Sequence, residues 1–164
     1  VTLLLSTLST PIGNLNLIAD EHVLLAANLS NLKALKESLS QEDSEKTIKS
    51  VSRIPIITDL IGDYFDGDLA ALNAISVRQP GAAFSQAAWK AMKKVKAGKV
   101  ISYGELAERA GSPAAVRAAG SACAKNAIVL IVPCHRIVKT GGALGNYAYG
   151  LDKKAWLLRH ESAL

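Results

Sequence analysis

The sequence predicts an α+β fold. A small N-terminal strand-and-helix domain over residues 1–80 is packed on a mainly helical C-terminal domain over residues 81–164 that carries a helix-turn-helix. Three observations predict it. Short apolar stretches broken by turn residues fill the first eighty positions, the pattern of strands. Apolar stripes at helical spacing, with capping residues ahead of them, fill the second half. The length of 164 residues suits two such units. A chain of this size buries roughly 68–70% of its unfolded surface, so it needs no disulfide or metal staple.

Leu3–Leu8 and Leu15–Ala19 flank the turn Thr10-Pro11-Ile12-Gly13-Asn14 and predict a hairpin, with Val23–Leu29 as a third strand. Leu32, Leu35, Lys36 and Leu39 recur at helical spacing. The polar stretch Gln41–Ser52 predicts a surface loop or frayed helix. Ile56–Phe65 predicts a helix ended by Asp66-Gly67-Asp68. A weak strand and a linker with Pro80-Gly81 close the domain. In the second half, Phe84, Ala88, Ala91, Met92 and Val95 form one helical stripe that Gly98 stops. Ser102-Tyr103-Gly104-Glu105 has capping-box spacing and opens a helix over Glu105–Ala110. Ser112-Pro113 starts a second helix, through Ala124, after a tight Gly-Ser turn. That second helix is built of small residues around a single large cation, Arg117. It can approach a surface closely, or it can be buried on two sides with Arg117 at its edge. Ala127–Val132, apolar and rich in β-branched residues, predicts a buried strand.

Composition excludes several classes. At 49% hydrophobic and 20% charged residues the chain is neither disordered nor collagen-like. Its longest apolar run is too short to span a membrane. The apolar N-terminus has no basic flank and does not read as a signal peptide. With only two cysteines, the expected compartment is the reducing cytoplasm. Charge is asymmetric: residues 1–80 hold 6 Lys/Arg against 10 Asp/Glu, and residues 81–164 hold 13 against 4. A basic half suits a polyanion, although solvated lysines give the same count.

The predicted strand ends in Pro133-Cys134-His135-Arg136. A thiolate is a strong nucleophile, and a neighbouring imidazole raises its share at neutral pH. Adjacent side chains on a strand diverge, so Cys134 and His135 cooperate only if the chain turns there or a water bridges them. As a bare dipeptide, Cys-His is weak evidence, and a structural cysteine is the favoured reading.

The wider pattern is more specific. Ile131 to Val138 around that box, Gly145-Asn146-Tyr147, and Lys154 to Glu161 closely resemble the O6-alkylguanine-DNA alkyltransferases. Gly98 to Tyr103 and Ala114 to Gly120 look like the same family, and the likeness runs from about Phe84 to Glu161. The resemblance implies transfer of an alkyl group from O6 of guanine onto Cys134, once per molecule, after the base is flipped out of duplex DNA. It implies that His135, held by Glu161, draws the Cys134 proton through a water, and that Tyr103 serves guanine N3. It implies minor-groove binding by the second helix, with Ala115, Val116 and Lys125 at the DNA and Arg117 in the gap left by the flipped nucleotide. The pocket would comprise Asn126 as a hinge, Ile137, Asn146, Tyr147, Ala148, Tyr149 and Lys154, with carbonyls of Cys134 and Ile137 and the amide of Ala148 reading the base. Tyr149 stands where relatives often carry glycine, so bulky adducts should fit poorly. Cys123 would face the same pocket as an inert thiol. No cofactor and no metal are expected, and a monomer is. Two competing readings remain: a lesion-binding helix-turn-helix protein without chemistry, against which Cys134 argues, and a Cys-His hydrolase, for which no oxyanion hole is signalled.

Overall fold

The computed structural model describes every residue, Val1–Leu164. It divides into two compact units: Val1–Pro80 with Ala127–Ile131, and Gly81–Asn126 with Val132–Leu164. Residues 127–131, late in the chain, thus return to the first unit.

The first unit is a five-stranded sheet with short helices. Strands β1 (Thr2–Thr10) and β2 (Gly13–Asp20) form the predicted hairpin, with Thr10 opposite Gly13 across Pro11-Ile12. Gly13 has φ +112, a conformation that glycine adopts without a Cβ penalty. β3 (Val23–Asn28) pairs antiparallel with β2. Helix α1 (Leu32–Glu37) is capped by the Asn31 side chain. Its Leu35 joins Leu3, Leu5, Ile18, Leu25 and Leu39 in one apolar cluster, where each buried leucine or isoleucine contributes about 1.5–3 kcal/mol.

The stretch 41–52 is not the predicted loop. It forms a one-turn helix, α2 (Gln41–Ser44), then strand β4 (Thr47–Ser50), parallel to β1 at the sheet edge. β4 is mostly exposed, so it shows no apolar alternation to read. Asp43, nearly buried, ties the segment down through Lys46 at 2.8 Å and Arg78 at 3.1 Å. Helix α3 spans Ile57–Phe65, and β5 (Ser76–Val77) joins β3 in parallel, giving the order β4-β1-β2-β3-β5.

The second unit is mainly helical: α4 (Ala83–Lys93), α5 (Tyr103–Arg109), α6 (Val116–Ala124) and α7 (Leu151–His160). Ser102 caps α5 by accepting from the Glu105 amide at 3.0 Å. The second helix of the pair begins later than predicted, at Val116, because Ala115 (φ −90, ψ 45) leaves the helical region. Residues 110–115 thus form a longer connection than the tight Gly-Ser turn expected. Trp89 of α4 donates to the Ala122 carbonyl at 2.9 Å, and Ala119 and Ala122 are buried. One face of α6 is covered, while Val116, Arg117, Ala118 and Ser121 on the other are exposed.

The predicted strand at 127–132 is absent. Ile128 makes a single bridge to Ala27, and Leu130 then turns the chain at φ 76. All five residues from Ile128 to Val132 are buried. Burial explains the apolar run, and an apolar run does not distinguish a strand from a buried turn. A one-turn 3-10 segment at Cys134–Arg136 follows and leads into β7 (Ile137–Val138), which pairs in parallel with β6 (Ile101–Ser102). No helix is long and apolar enough to cross a membrane.

Candidate active site

The chain does turn at the Cys-His pair. The 3-10 turn places Cys134 on the wall of a cavity of about 610 Å³ within the second unit. Tyr103, Val116, Arg117, Asn146, Tyr147 and Ala148 of the expected residues line the same cavity, together with Gly120, Ser121, Cys123 and Ala124. Asn126, just beyond α6, donates through Nδ2 to the Val132 carbonyl at 2.8 Å and to Cys134 Sγ at 3.4 Å. One amide group thus links the end of the helix to the turn that carries the thiol.

His135, Arg136 and Glu161 form a layer with no access to solvent beyond a few per cent. His135 Nε2 lies 2.8 Å from Glu161 Oε2. Arg136 donates from Nε and Nη2 to the two oxygens of Glu161, each at 2.9 Å, and from Nη1 to the Val95 carbonyl at 2.7 Å. Burial works against the Glu161 charge, but the hydrogen bonds from His135 and Arg136 overcome it and hold the carboxyl well below its ordinary range. Burial pushes His135 down, opposed by Glu161, so the imidazole is neutral at pH 7. A carboxylate partner assigns the proton to Nε2. Nδ1, buried and without a protein partner, is then the basic nitrogen.

Lys154 and Glu161 lie seven residues apart on α7 and its C-cap, two turns along one face. Lys154 is fully buried and donates to the carbonyls of Ile137 at 2.6 Å and Asn146 at 3.1 Å. It thereby joins the active-site turn to the pocket loop. Burial raises the Cys134 thiol, while the Asn126 hydrogen bond and the Lys154 charge act the other way. Cys123 is pushed up to about 12, first by burial and then by its neighbour Cys134.

Tyr103, the first residue of α5, is held protonated: burial raises its phenol. Gly145 makes room for it. A Cβ there would stand 2.9 Å from the Tyr103 hydroxyl, and the residue has φ +78. Gly145→Ala should cost about 1–2 kcal/mol in stability from the left-handed backbone and should slow the reaction as Tyr103 is displaced. Denaturant unfolding and a single-turnover rate, compared with Tyr103→Phe, check this. A normal rate in the alanine variant would show that Tyr103 placement is immaterial.

The sequence model described as 6-O-methylguanine DNA methyltransferase, DNA binding domain, matches residues 83–163. A methylated-DNA–protein-cysteine methyltransferase of Salmonella typhimurium is 35% identical over 99% of this chain and 97% of its own length. The chain belongs to that methyltransferase family. A relative of the same name from Methanosarcina acetivorans is 34% identical over 94% of this chain and 95% of its own. A solved structure titled as Mycobacterium tuberculosis OGT in complex with DNA superposes with a TM-score of 0.81 at 31% identity, covering 98% of this chain and 93% of that one.

Within this methyltransferase fold several expected residues stand outside the cavity wall. His135, Glu161, Lys154, Asn126 and Ile137 are not part of the lining; hydrogen bonds connect them to the turn and the loop that carry it. Ala115 is the N-cap of α6 and Lys125 its C-cap, both off the lining. Tyr149 does not line the cavity either. Its ring meets that of Tyr147 edge-on at 5.8 Å, so it bears on the pocket through Tyr147. The sequence reading gave Arg136 no role of its own. Its place in a motif beside Cys134 was visible, but an arginine in a basic half reads as phosphate-facing until its burial against Glu161 is seen.

Proposed function

We propose that this chain repairs duplex DNA by direct reversal, moving an alkyl group from O6 of an extruded guanine onto Cys134 in a single turnover. The observation that carries this reading is a cavity-facing thiol next to the buried His135–Glu161–Arg136 layer. His135 takes the Cys134 proton at Nδ1 through a water, and Glu161 stabilises the imidazolium that forms. The thiolate attacks the alkyl carbon; the S–C bond forms as the C–O6 bond breaks, and the electron pair stays on the purine. Tyr103 donates its phenolic proton to N3 as the bond breaks, so guanine departs neutral, and the proton that His135 took from Cys134 returns through water to the phenolate. The carbonyls of Cys134 and Ile137 accept from the exocyclic amine, and the Ala148 amide donates to O6. A carbonyl has two lone pairs, so Ile137 can serve both Lys154 and the base. The product is a thioether with a poor leaving group, which is why one molecule acts once. No cofactor enters the reaction.

The exposed face of α6 enters the minor groove, with Ala115, Val116 and Lys125 beside the backbone and Arg117 filling the vacated stack. The protein acts as a cytoplasmic monomer. Intact mass after exposure to O6-methylguanine duplex tests the reading: one methyl should appear on the Cys134 peptide. An unchanged mass, or repeated turnover, would overturn it. Arg117→Ala should slow repair of duplex DNA by roughly 10–100-fold, since extrusion costs a few kcal/mol, yet leave reaction with the free base nearly unaltered. Equal losses on both substrates would remove Arg117 from the flipping step.

A further inference from the structure

We propose that a second DNA-binding surface lies in the groove between α4 and α5, where the phosphate backbone of duplex DNA docks outside the lesion cavity. The proposal rests on the duplex-DNA reading above. The groove has a volume of about 380 Å³ and is lined by Ala87, Lys90, Ala91, Lys94 and Arg109. None of these lines the lesion cavity.

Its chemistry is that of a polyanion site. Lys90 of α4 and Lys94 at its C-cap are exposed and one helical turn apart, an advance of about 6 Å. Arg109 reaches the groove from the other helix. Its partner Glu105, at 2.6 Å, is the carboxylate paired with this set, and neither lysine makes a salt bridge. Lys93 is half-buried and does not line the groove. Each cation near a helix C-terminus is favoured by the dipole of its own helix. The dipoles do not explain why cations of two helices line one open groove with alanines between them. Small side chains there leave room for a backbone strand, and charged groups would otherwise repel across the gap. α5 joins the two regions: Tyr103 at its start lines the lesion cavity and Arg109 at its end lines the groove, about 9 Å apart along the axis.

The test uses the full chain, unmodified duplex DNA and the double variant Lys90→Gln/Lys94→Gln. Each phosphate contact contributes about 0.9 to the slope of log affinity against log salt, so the double variant should lower that slope by about 1.8 and weaken binding at low salt at least tenfold. The control Lys33→Gln/Lys49→Gln removes the same charge from the first unit and should leave the slope in place. Reaction of the groove variant with free O6-methylguanine should match wild type. A slope equal to wild type, or equal slope losses in groove and control variants, overturns the groove. A slowed free-base reaction overturns it as well, by showing a disturbed cavity. Absence of duplex binding by the wild type would overturn the groove and the repair reading together, which separates that failure from the others.

Discussion

Cys134→Ala is expected to abolish alkyl transfer while leaving duplex binding and folding in place. Two thiols line the cavity, so the loss is informative only if the second cannot substitute. Cys123 is pushed up to about 12, which leaves on the order of 10⁻⁵ of it as thiolate at pH 7. Cys134 is also raised by burial, but Asn126 donates to its sulfur and Lys154 adds positive charge nearby. His135, which is paired with Glu161, follows it directly in the chain, whereas Cys123 has no such base among its neighbours in sequence. Intact mass after hours with O6-methylguanine duplex should show no added methyl in Cys134→Ala and one in Cys123→Ala. DNA binding by the alanine variant should match wild type, because the thiol makes no phosphate contact. A methyl group on Cys123 in the Cys134→Ala protein would make the two thiols interchangeable and sink the assignment.

The sequence showed most of what is local. The hairpin was readable because Thr10-Pro11-Ile12-Gly13 is a turn with apolar flanks, and the start of α5 because Ser102 and Glu105 have capping spacing. β4 was not, because an exposed edge strand carries no apolar rhythm and is fixed by Asp43, Lys46 and Arg78, partners up to 35 residues apart in the chain. The run 127–132 misled for the opposite reason: its apolar character records burial, and the left-handed turn at Leu130 leaves no mark on side-chain type. In the site, the residues that touch the cavity came from motif resemblance. His135, Glu161, Asn126 and Lys154 outside its lining came from the same resemblance, but the burial of Arg136 against Glu161 and the bridging of two carbonyls by Lys154 did not, since they depend on where α7 lies.

Glu161→Gln should produce the largest loss of stability. It removes the carboxylate from between His135 and Arg136 and leaves a buried guanidinium without a counter-charge. Breaking such a pair costs about 3–5 kcal/mol, which for a chain of this size lowers Tm by roughly 6–20 °C. The sign with pH follows from the carboxyl being held low. Its contribution is present above the ordinary value of 4.5 and is lost as pH falls below it in the wild type, whereas the glutamine variant lacks it at every pH. Buried His135, also held low, adds an acid-side loss that starts below 6.5. Lower stability alone would fit a purely structural carboxylate, so a second variant is needed. Glu161→Gln/Arg136→Met removes the orphan charge and should regain part of the lost Tm, since an apolar residue of similar volume tolerates burial. The transfer rate to a free base should stay low in the double variant and recover in alkali, because His135 still lacks the anion that supports its protonated form. If rate and stability return together in the double variant, Glu161 holds the fold and takes no part in drawing the proton from Cys134.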